Sequence, residues 1–321
     1  MRLTPTDTPQ GRVFTPIRED PVRAILVMLG AALFVSAASL LAKALTTGAI
    51  GPGMHPLQVS HGRFLFALLA IAGAAGALRL RFTPANLPVH LARTTCGWAG
   101  ISLMFAAIAF IPLSDATAIS FLNPIFAMLL AIPLLGDRVG PWRIGAAALA
   151  FTGALVLLRP GQGALEIGAV LALGAALILG VEIILIKRLS RAESPLQILL
   201  INNLMGTVIA TLAVLLVWQA PTPAQWFALV GVGVTMACAQ GCFVNAMARA
   251  EASFVVPFSY ATLIFAALFD AAVFGVIPGW VSLTGGAMIV AAGLILAWRE
   301  GRIRPSGDSL SLIHISEPTR P

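Results

Sequence analysis

"AISFLNPIFAMLLAIPLLGD" (residues 118–137) is mostly apolar and long enough to cross a bilayer as a helix, yet it carries Asn123 and Pro124 side by side near its middle. Proline has no backbone N–H to donate, and its ring clashes with the preceding helical turn. A helix through Pro124 is therefore expected to kink. The carbonyl groups that the kink frees must be satisfied by protein or by cavity water, because lipid offers no donors.

The composition of the whole chain is that of an integral membrane protein. Of 321 residues, 59% are hydrophobic and 10% are charged, which is far from the average of soluble domains. Lys and Arg outnumber Asp and Glu by 20 to 13. In a soluble chain this excess would indicate a nucleic-acid partner, but inner loops of membrane proteins collect Lys and Arg because these residues set orientation. We therefore predict an all-α membrane protein whose partner is the lipid bilayer, with no nucleic acid.

Ten apolar runs of about 20 residues predict ten transmembrane helices in two sets of five. The first set covers 24–46, 57–78, 88–111, 114–135 and 141–158, and the second covers 164–187, 196–218, 224–248, 252–275 and 280–298. Residues 1–23 and 300–309 are predicted to be cytoplasmic tails. Residues 310–321, "LSLIHISEPTRP", resemble a translated sequencing adapter and are expected to lie outside the fold.

The distribution of positive charge predicts that both termini lie in the cytoplasm. Sixteen Lys and Arg residues fall in alternate connections, whereas the complementary connections contain only Arg159. Cytoplasmic loops carry such an excess. The sixteen are Arg2, Arg12, Arg18, Arg23, Arg79, Arg81, Arg93, Arg138, Arg143, Lys187, Arg188, Arg191, Arg249, Arg299, Arg302 and Arg304.

A five-helix unit is predicted to occur twice, over residues 24–158 and 164–299. A shift of 139 residues places "PLSDATAISF" (112–121) on "EASFVVPFSY" (251–260). Because five spans is an odd number, the second copy must enter the membrane upside down. The arginines agree, since "GDRVGPWR" (136–143) carries two and its counterpart "GVIPGW" (275–280) carries none, while Phe110 corresponds to Arg249. The sequence thus predicts two inverted repeats.

The run "FAAIAFIPLSDATAISFLNPIFAMLLAIPLLGDRVGPWRIGAAALAFTGALVLLRPG" (105–161) resembles the first repeat of EamA-type proteins in the drug/metabolite transporter superfamily. "FSYATLIFAALFDAAVFG" (258–275) fits the second repeat, "HPLQVSHGRF" (55–64) also fits, and the likeness covers about residues 24–299. The chain departs from the family at Val276, the equivalent of Asp137, where members often carry Glu. The resemblance implies a ten-helix inner-membrane transporter that works by alternating access around a central cavity. It implies no substrate, because members handle amino acids, nucleotide-like metabolites, vitamins and drugs.

Paired prolines indicate where a substrate would bind. Pro257 lies inside the ninth helix, which is the repeat mate of the fourth helix with Pro124. Interrupted helices at equivalent places in inverted repeats are typical of a binding site at the bilayer midplane. Asn123, Ser259 and Tyr260 adjoin the two prolines and are candidate substrate-binding residues. The alternative is that both prolines only shape helix packing.

Charged residues within the spans are the next candidates, since each costs a few kcal/mol at the bilayer centre. Arg63 is expected to pair with Asp115, to bind an anionic substrate, or to extend its side chain to the membrane surface. Lys43 is expected either to face protein or water or to reach the surface in the same way, and Asp270 lies inside its span. Asp115 is a candidate for coupling transport to an ion.

Glu182 is the second coupling candidate. It is either a carboxyl that exchanges protons or a static partner of Asn202, Asn203 or Arg249. Asn202, Asn203 and Gln240 are polar residues in apolar surroundings, and they either bond across helices or contact polar groups of the substrate. All three are candidate substrate-binding residues.

Trp98 and Phe121 could supply an apolar wall for an aromatic substrate, or could simply pack. The fifth and tenth helices carry small residues four apart, which favour close helix packing within the chain or in a homodimer. These residues are Ala146, Ala150, Ala154, Ala287 and Ala291.

Catalytic and cofactor motifs are absent from the sequence. It has no G-x-S-x-G elbow, no H-E-x-x-H helix and no phosphate-binding G-x-x-x-x-G-K-[ST] loop. Cys238 and Cys242 share a helix face but lack a neighbouring His or carboxylate, so no metal is expected. We therefore predict no enzyme and no cofactor, but a secondary transporter of a small amphipathic metabolite, working by export or exchange. The alternative on the same fold is an uncoupled facilitator, a channel or a lipid scramblase.

Overall fold

The computed structural model describes residues 20–78, 84–135, 140–158, 167–190, 193–249 and 252–303, which form twelve helices and one 3-10 segment. In chain order the helices are α1 (Pro21–Thr46), α2 (Pro56–Leu78), α3 (Leu87–Ala107), α4 (Leu113–Ser120), α5 (Asn123–Leu135), α6 (Pro141–Leu158), α7 (Ile167–Leu189), α8 (Pro195–Val214), α9 (Pro223–Met247), α10 (Ala252–Val255), α11 (Ala261–Phe274) and α12 (Trp280–Ile303). The 3-10 segment, Val256–Tyr260, joins α10 to α11.

Nine stretches of the described chain are long and apolar enough to cross a membrane. In two of them a short helix joins the next element, α4 with α5 and the 3-10 segment with α11. Helix α3 supplies the tenth span because its 21 residues are sufficient in length. It is less apolar than the other spans because it contains His90, Arg93 and Thr94. The side chains of these three residues are buried.

Several helices begin with the same local device, a capping side chain followed by proline. Asp20, Asn86, Ser194 and Thr222 each accept a hydrogen bond from a backbone N–H in the first turn of α1, α3, α8 and α9. Proline in that turn lacks an N–H that would have no partner there. These local signals fix where the spans enter the bundle.

The two halves interdigitate with the symmetry of an inverted repeat. Helix α1 packs mainly on α9 and α3 mainly on α7, so that the first span meets the eighth and the third meets the sixth. When each span is replaced by its repeat mate, the contact between the first and eighth spans becomes the contact between the sixth and third spans. Helices α2 and α8, the second and seventh spans, pack on each other, as do α6 and α12, the fifth and tenth. The fold is therefore a ten-span bundle of two inverted five-helix repeats, as the sequence predicted.

Small residues bring α6 and α12 into close contact. A Cβ atom added at Gly153 would lie 2.7 Å from the Gly285 carbonyl oxygen. Ala146, Ala150 and Ala154 are buried, whereas Ala287 is exposed and Ala291 is half-buried. The predicted small-residue face of the fifth helix is thus used within the chain. A homodimer stays a prediction. Of the five small residues, Ala287 of α12 is the one whose side chain is exposed and available for such a contact.

The fourth and ninth spans are interrupted where the two prolines led us to expect kinks. Helix α4 ends at Ser120, and α5 begins at Asn123 after a turn in which Leu122 N–H donates to the Ile119 carbonyl at 3.0 Å. In the ninth span Pro257 lies within the 3-10 segment. Proline has no backbone N–H, and the first N–H groups of a helical segment have no partner within it. Each interruption therefore lies where proline supplies no N–H to continue the preceding helix.

Some predicted helix ends were wrong by several residues. The third span was predicted to reach residue 111, but α3 ends at Ala107. The seventh span was predicted to reach residue 218, but α8 ends at Val214 and a turn follows at 215–217. Helix α1 begins at Pro21, inside the predicted tail, and α12 continues to Ile303, past the predicted boundary at 299. Apolar length does not determine helix ends, because a capped helix can continue beyond the membrane. Residues 1–19 and 304–321 lie outside the described residues.

Candidate functional site

The two interrupted spans meet between the repeats. The rings of Phe121 and Tyr260, one from each interruption, lie with centroids 4.6 Å apart. Tyr260 also packs against α12 so closely that a Cβ atom added at Gly293 would collide with its hydroxyl group. Asn123 is half-buried, and its side chain makes no hydrogen bond with the described residues. The structure therefore brings Phe121 and Tyr260 together, with Ser259 half-buried next to Tyr260 in the chain. Asn123 instead lies at the beginning of α5, where a Cβ atom added at Gly180 of α7 would be 3.0 Å from its carbonyl oxygen.

A second cluster of polar residues lies among α2, α3 and α7. Arg93 Nη2 of α3 lies 3.0 Å from the Glu182 carboxylate of α7. Glu182 comes so near the α3 backbone that a Cβ atom at Gly97 would lie 2.8 Å from its Oε1. Arg63 of α2 is within electrostatic range of both Glu182 and Arg93, and its guanidinium group also stacks on the Phe64 ring at 4.0 Å. We call Arg63, Arg93 and Glu182 the arginine cluster.

Polar side chains on α8 and α9 continue from this region. Asn203 Nδ2 donates to Gln240 Oε1 at 3.3 Å and to the Leu199 carbonyl at 2.8 Å. Asn202 and Asn203 are buried, and the Oδ1 atom of each has no hydrogen-bond partner. Trp98 Nε1 and Thr94 Oγ1 on α3 are likewise buried without partners. Buried polar atoms are normally hydrogen-bonded, and these four atoms depart from that pattern.

One end of the bundle, which we call the Lys43 end, is closed by contacts between the halves. Lys43 Nζ of α1 lies 2.6 Å from Asp270 Oδ1 of α11, and both side chains are buried. Asp270 Oδ2 accepts hydrogen bonds from the backbone N–H groups of Leu113 and Ser114, where α4 begins. A carboxylate is favourable at a helix N-terminus, because it satisfies free N–H groups and meets the positive end of the helix dipole.

Glutamines add further contacts at the Lys43 end. The Gln58 side chain donates to the Gln219 carbonyl at 2.6 Å and accepts from the Gln219 N–H at 3.1 Å. Gln225 donates to the Pro52 carbonyl at 2.6 Å. Each of these contacts joins a residue of the first half to a residue of the second half. Several separate polar contacts therefore hold the two halves together at the Lys43 end.

At the opposite end, which we call the His90 end, a buried carboxylate of the second half contacts residues of the first half. His90 Nε2 lies 2.8 Å from the Glu193 carboxylate, which also accepts from Gln197 Nε2 at 2.7 Å and from the Asn86 N–H at 3.2 Å. Glu193 precedes α8, outside the membrane spans. Burial raises the pKa of Glu193, but the hydrogen bonds from His90, Asn86 and Gln197 outweigh it and leave the pKa below its ordinary value.

For three charged residues, the structure contradicts one of the predicted alternatives. Arg63 faces Glu182 and Arg93 instead of Asp115, whose Oδ2 accepts from Ser282 Oγ at 3.0 Å. Glu182 pairs with Arg93 and not with Asn202, Asn203 or Arg249. Lys43 does not reach the surface, because Asp270 offers it a buried partner.

Arg93 was missed as a site residue because it was counted among the cytoplasmic connections. It lies in the second turn of α3 and is 5% exposed. The available signal was its position inside the apolar run 88–111, where an arginine would need a partner. Asp137, whose equivalent in the second repeat is Val276, lies outside the described residues.

A ten-span bundle of two inverted repeats with interrupted spans is an architecture found in membrane transporters. The sequence matches the EamA-like transporter family over residues 22–159 and 166–298, and the chain belongs to that family. It is a multi-pass inner-membrane protein that transports a small metabolite.

Two relatives and one solved structure illustrate the similarity. A riboflavin transporter of Vibrio cholerae is 29% identical over 90% of this chain and 97% of its own length. A riboflavin transporter of Rhizobium johnstonii is 30% identical over 66% of this chain and 71% of its own. A crystal structure that covers 88% of this chain and 99% of its own has a TM-score of 0.60 at 22% identity, which shows the same fold.

Proposed function

We propose that the protein is a secondary transporter that carries a small amphipathic metabolite across the inner membrane by alternating access, in export or in exchange. The observation that carries this proposal is the set of buried polar atoms without partners on helices of both halves. They belong to Arg63, Arg93, Trp98, Asn202 and Asn203. In the membrane interior such groups are unfavourable unless a ligand or water reaches them.

The two ends of the bundle support alternating access. The Lys43 end joins the halves through Lys43 and Asp270, whereas the His90 end joins them through His90 and Glu193. Transport requires that the contacts at one end form while those at the other break, and the interrupted fourth and ninth spans supply places where helices bend. We assign the Lys43 end to the outside, and the His90 end and both termini to the cytoplasm, from the distribution of Lys and Arg.

The chemistry of the candidate residues indicates a substrate class. Trp98, Phe121 and Tyr260 offer flat apolar surfaces, and Asn202, Asn203 and Gln240 offer amides. A planar molecule with polar edges fits both, as do vitamins, nucleosides and aromatic amino acids. Two relatives are named as riboflavin transporters, so riboflavin represents the vitamin class in the test below.

Counterflow in liposomes tests the proposal. Purified protein is reconstituted in liposomes loaded with an unlabelled compound, and uptake of the same labelled compound is followed for riboflavin, nicotinate, adenosine and tryptophan. We expect saturable uptake of at least one compound, accelerated by the compound inside. Uptake that neither saturates nor responds to the internal compound would favour the alternative of a channel, uncoupled facilitator or scramblase. Absence of uptake of all four would contradict the proposal.

Neighbouring residues on α8 provide a matched pair of variants. Asn203 is fully buried with an unpaired Oδ1, whereas Leu204 is 52% exposed on the other side of the helix. We expect Asn203→Ala to lower the counterflow rate about tenfold, the effect of losing one polar contact to the substrate. Leu204→Ala should leave the rate unchanged. Equal rates in the two variants would remove Asn203 from the site.

A further inference from the structure

We propose that the arginine cluster binds an anionic group of the transported metabolite and that Glu182 competes with that group for Arg93. This inference deepens the proposed transport function and rests on it. It assigns the substrate a carboxylate or another monoanionic acid beside its planar part.

The first argument is the charge of the cluster. Arg63 and Arg93 are 4% and 5% exposed, and Glu182 is the one carboxylate among the described residues that acts electrostatically on both. Two guanidinium groups and one carboxylate leave one positive charge without a counter-charge. Removing an unpaired charge from water costs several kcal/mol, so a buried site with this excess favours a monoanion.

The second argument is the number of free donors. Nε and Nη1 of Arg63 and Nε and Nη1 of Arg93 are buried without hydrogen-bond partners. The planar guanidinium fork matches the two oxygens of a carboxylate or phosphate. The single contact with Glu182 at 3.0 Å uses Nη2 of Arg93 and leaves that fork open. These unused donors can bind an incoming anion beside the Glu182 carboxylate or in its place.

The third argument is the neighbourhood on α3. Thr94 and Trp98 are one turn apart on α3, next to Arg93 and Gly97 in the chain, and their Oγ1 and Nε1 atoms are also without partners. Both atoms can donate to an acceptor, and the Trp98 ring offers a flat surface. An acid on a planar ring would use the guanidinium groups, the free donors and the aromatic face together.

The charge also predicts a preference for exchange. With a monoanion bound the cluster is neutral, whereas the empty cluster carries one positive charge in the membrane interior. Reorientation of the empty protein is therefore slower than that of the loaded protein. An anionic substrate on the opposite side should accelerate transport for this reason.

An acid and its neutral amide test the inference. Nicotinate and nicotinamide have the same ring and differ by one charge, and their dissociation constants are measured from thermal stabilisation of the protein in lipid nanodiscs. We expect nicotinate to bind about tenfold or more tightly than nicotinamide, the effect of charge-assisted hydrogen bonds. Equal binding of acid and amide would overturn the inference, as would an equal effect of inorganic phosphate or chloride at the same concentration.

Three variants make the ratio of acid binding to amide binding diagnostic. Arg63→Gln should abolish the preference, and Arg63→Lys should keep most of it. Glu182→Gln, which removes the competing carboxylate, should strengthen nicotinate binding several-fold without changing nicotinamide binding. An unchanged ratio in Glu182→Gln would overturn the inference even if Arg63→Gln fails to fold.

These binding measurements do not depend on transport, so the two proposals fail separately. Acid-selective binding without counterflow would contradict the transport mechanism and leave the anion site intact. Counterflow with no difference between acid and amide would keep the transporter and refute the anion site.

Discussion

At the scale of single residues, the buried pair of Lys43 and Asp270 connects three helices. The ammonium group of Lys43 also lies over the Phe274 ring, 4.7 Å from its centroid. Asp270 is fully buried and is bonded to the beginning of α4 as well as to Lys43. A pair of this kind is stabilising only while both partners are present, because either one alone is an unpaired charge in a medium of low polarity.

We predict that Asp270→Asn lowers the free energy of unfolding by about 3–5 kcal/mol. Lys43→Met should have a comparable effect, since it leaves the Asp270 charge unpaired. The double variant should be less destabilised than the sum of the two, because it removes both charges. Unfolding in mild detergent measures all four proteins, and additive effects would contradict a direct interaction.

The lowered pKa of Glu193 predicts how the stability of the protein depends on pH. The folded pKa of Glu193 is below its ordinary value, so its hydrogen bonds stabilise the fold above the ordinary pKa of about 4.3 and are lost as pH falls through the lower folded pKa. We expect the melting temperature of the protein to fall more steeply below about pH 5 than that of Glu193→Gln. Parallel profiles of the two proteins between pH 3 and 6 would show that this carboxylate does not contribute.

At the scale of helices, the interrupted spans and the closely packed continuous spans have different structural roles. The fourth and ninth spans are interrupted at their prolines and meet through Phe121 and Tyr260, so they place irregular backbone between the halves. The fifth and tenth spans, α6 and α12, are continuous and pack through small residues. The first pair is suited to bending near a substrate, and the second pair holds the halves together.

Two glycines of α6 test this packing. A Cβ atom at Gly153 would lie 2.7 Å from the Gly285 carbonyl oxygen and 2.9 Å from the Met288 Cβ, whereas at Gly145 it would meet nothing within 4 Å. We predict that Gly153→Ala destabilises the protein by about 1–3 kcal/mol through overpacking. Gly145→Ala should change stability by less than about 1 kcal/mol. Unfolding measurements that rank the two variants equally would contradict close packing of α6 and α12.

At the scale of the whole molecule, the inverted repeat predicts opposite orientation at equivalent positions. Phe110 follows the third span and Arg249 follows the eighth, its repeat mate. Alkaline phosphatase is active only outside the cytoplasm, and green fluorescent protein serves as the cytoplasmic reporter. We predict an active phosphatase fused after Phe110 and a fluorescent protein fused after Arg249. The same reporter responding at both positions would contradict the inversion.

Much of this architecture was predictable from short stretches of sequence. Apolar runs gave the spans, Pro124 and Pro257 gave the interruptions, and the arginines gave the relation between the halves. Such features depend on residues close together in the chain, because span length, a missing N–H and loop charge are local properties. Arg63, Asn202 and Asn203 could be singled out for a related reason, since a polar side chain in an apolar run requires a partner.

What the sequence by itself determined is therefore the all-α membrane fold, its two halves and the list of polar residues within the spans. Only the tertiary structure decided which of these residues meet, as with Lys43 and Asp270, which are 227 positions apart, or Arg93 and Glu182. The physical reason is that a membrane helix is apolar on all sides, so no hydrophobic stripe marks its inward face. Helix rotation and pairing are set by close packing and by the need to pair buried charges, and both depend on helices that are distant in the chain.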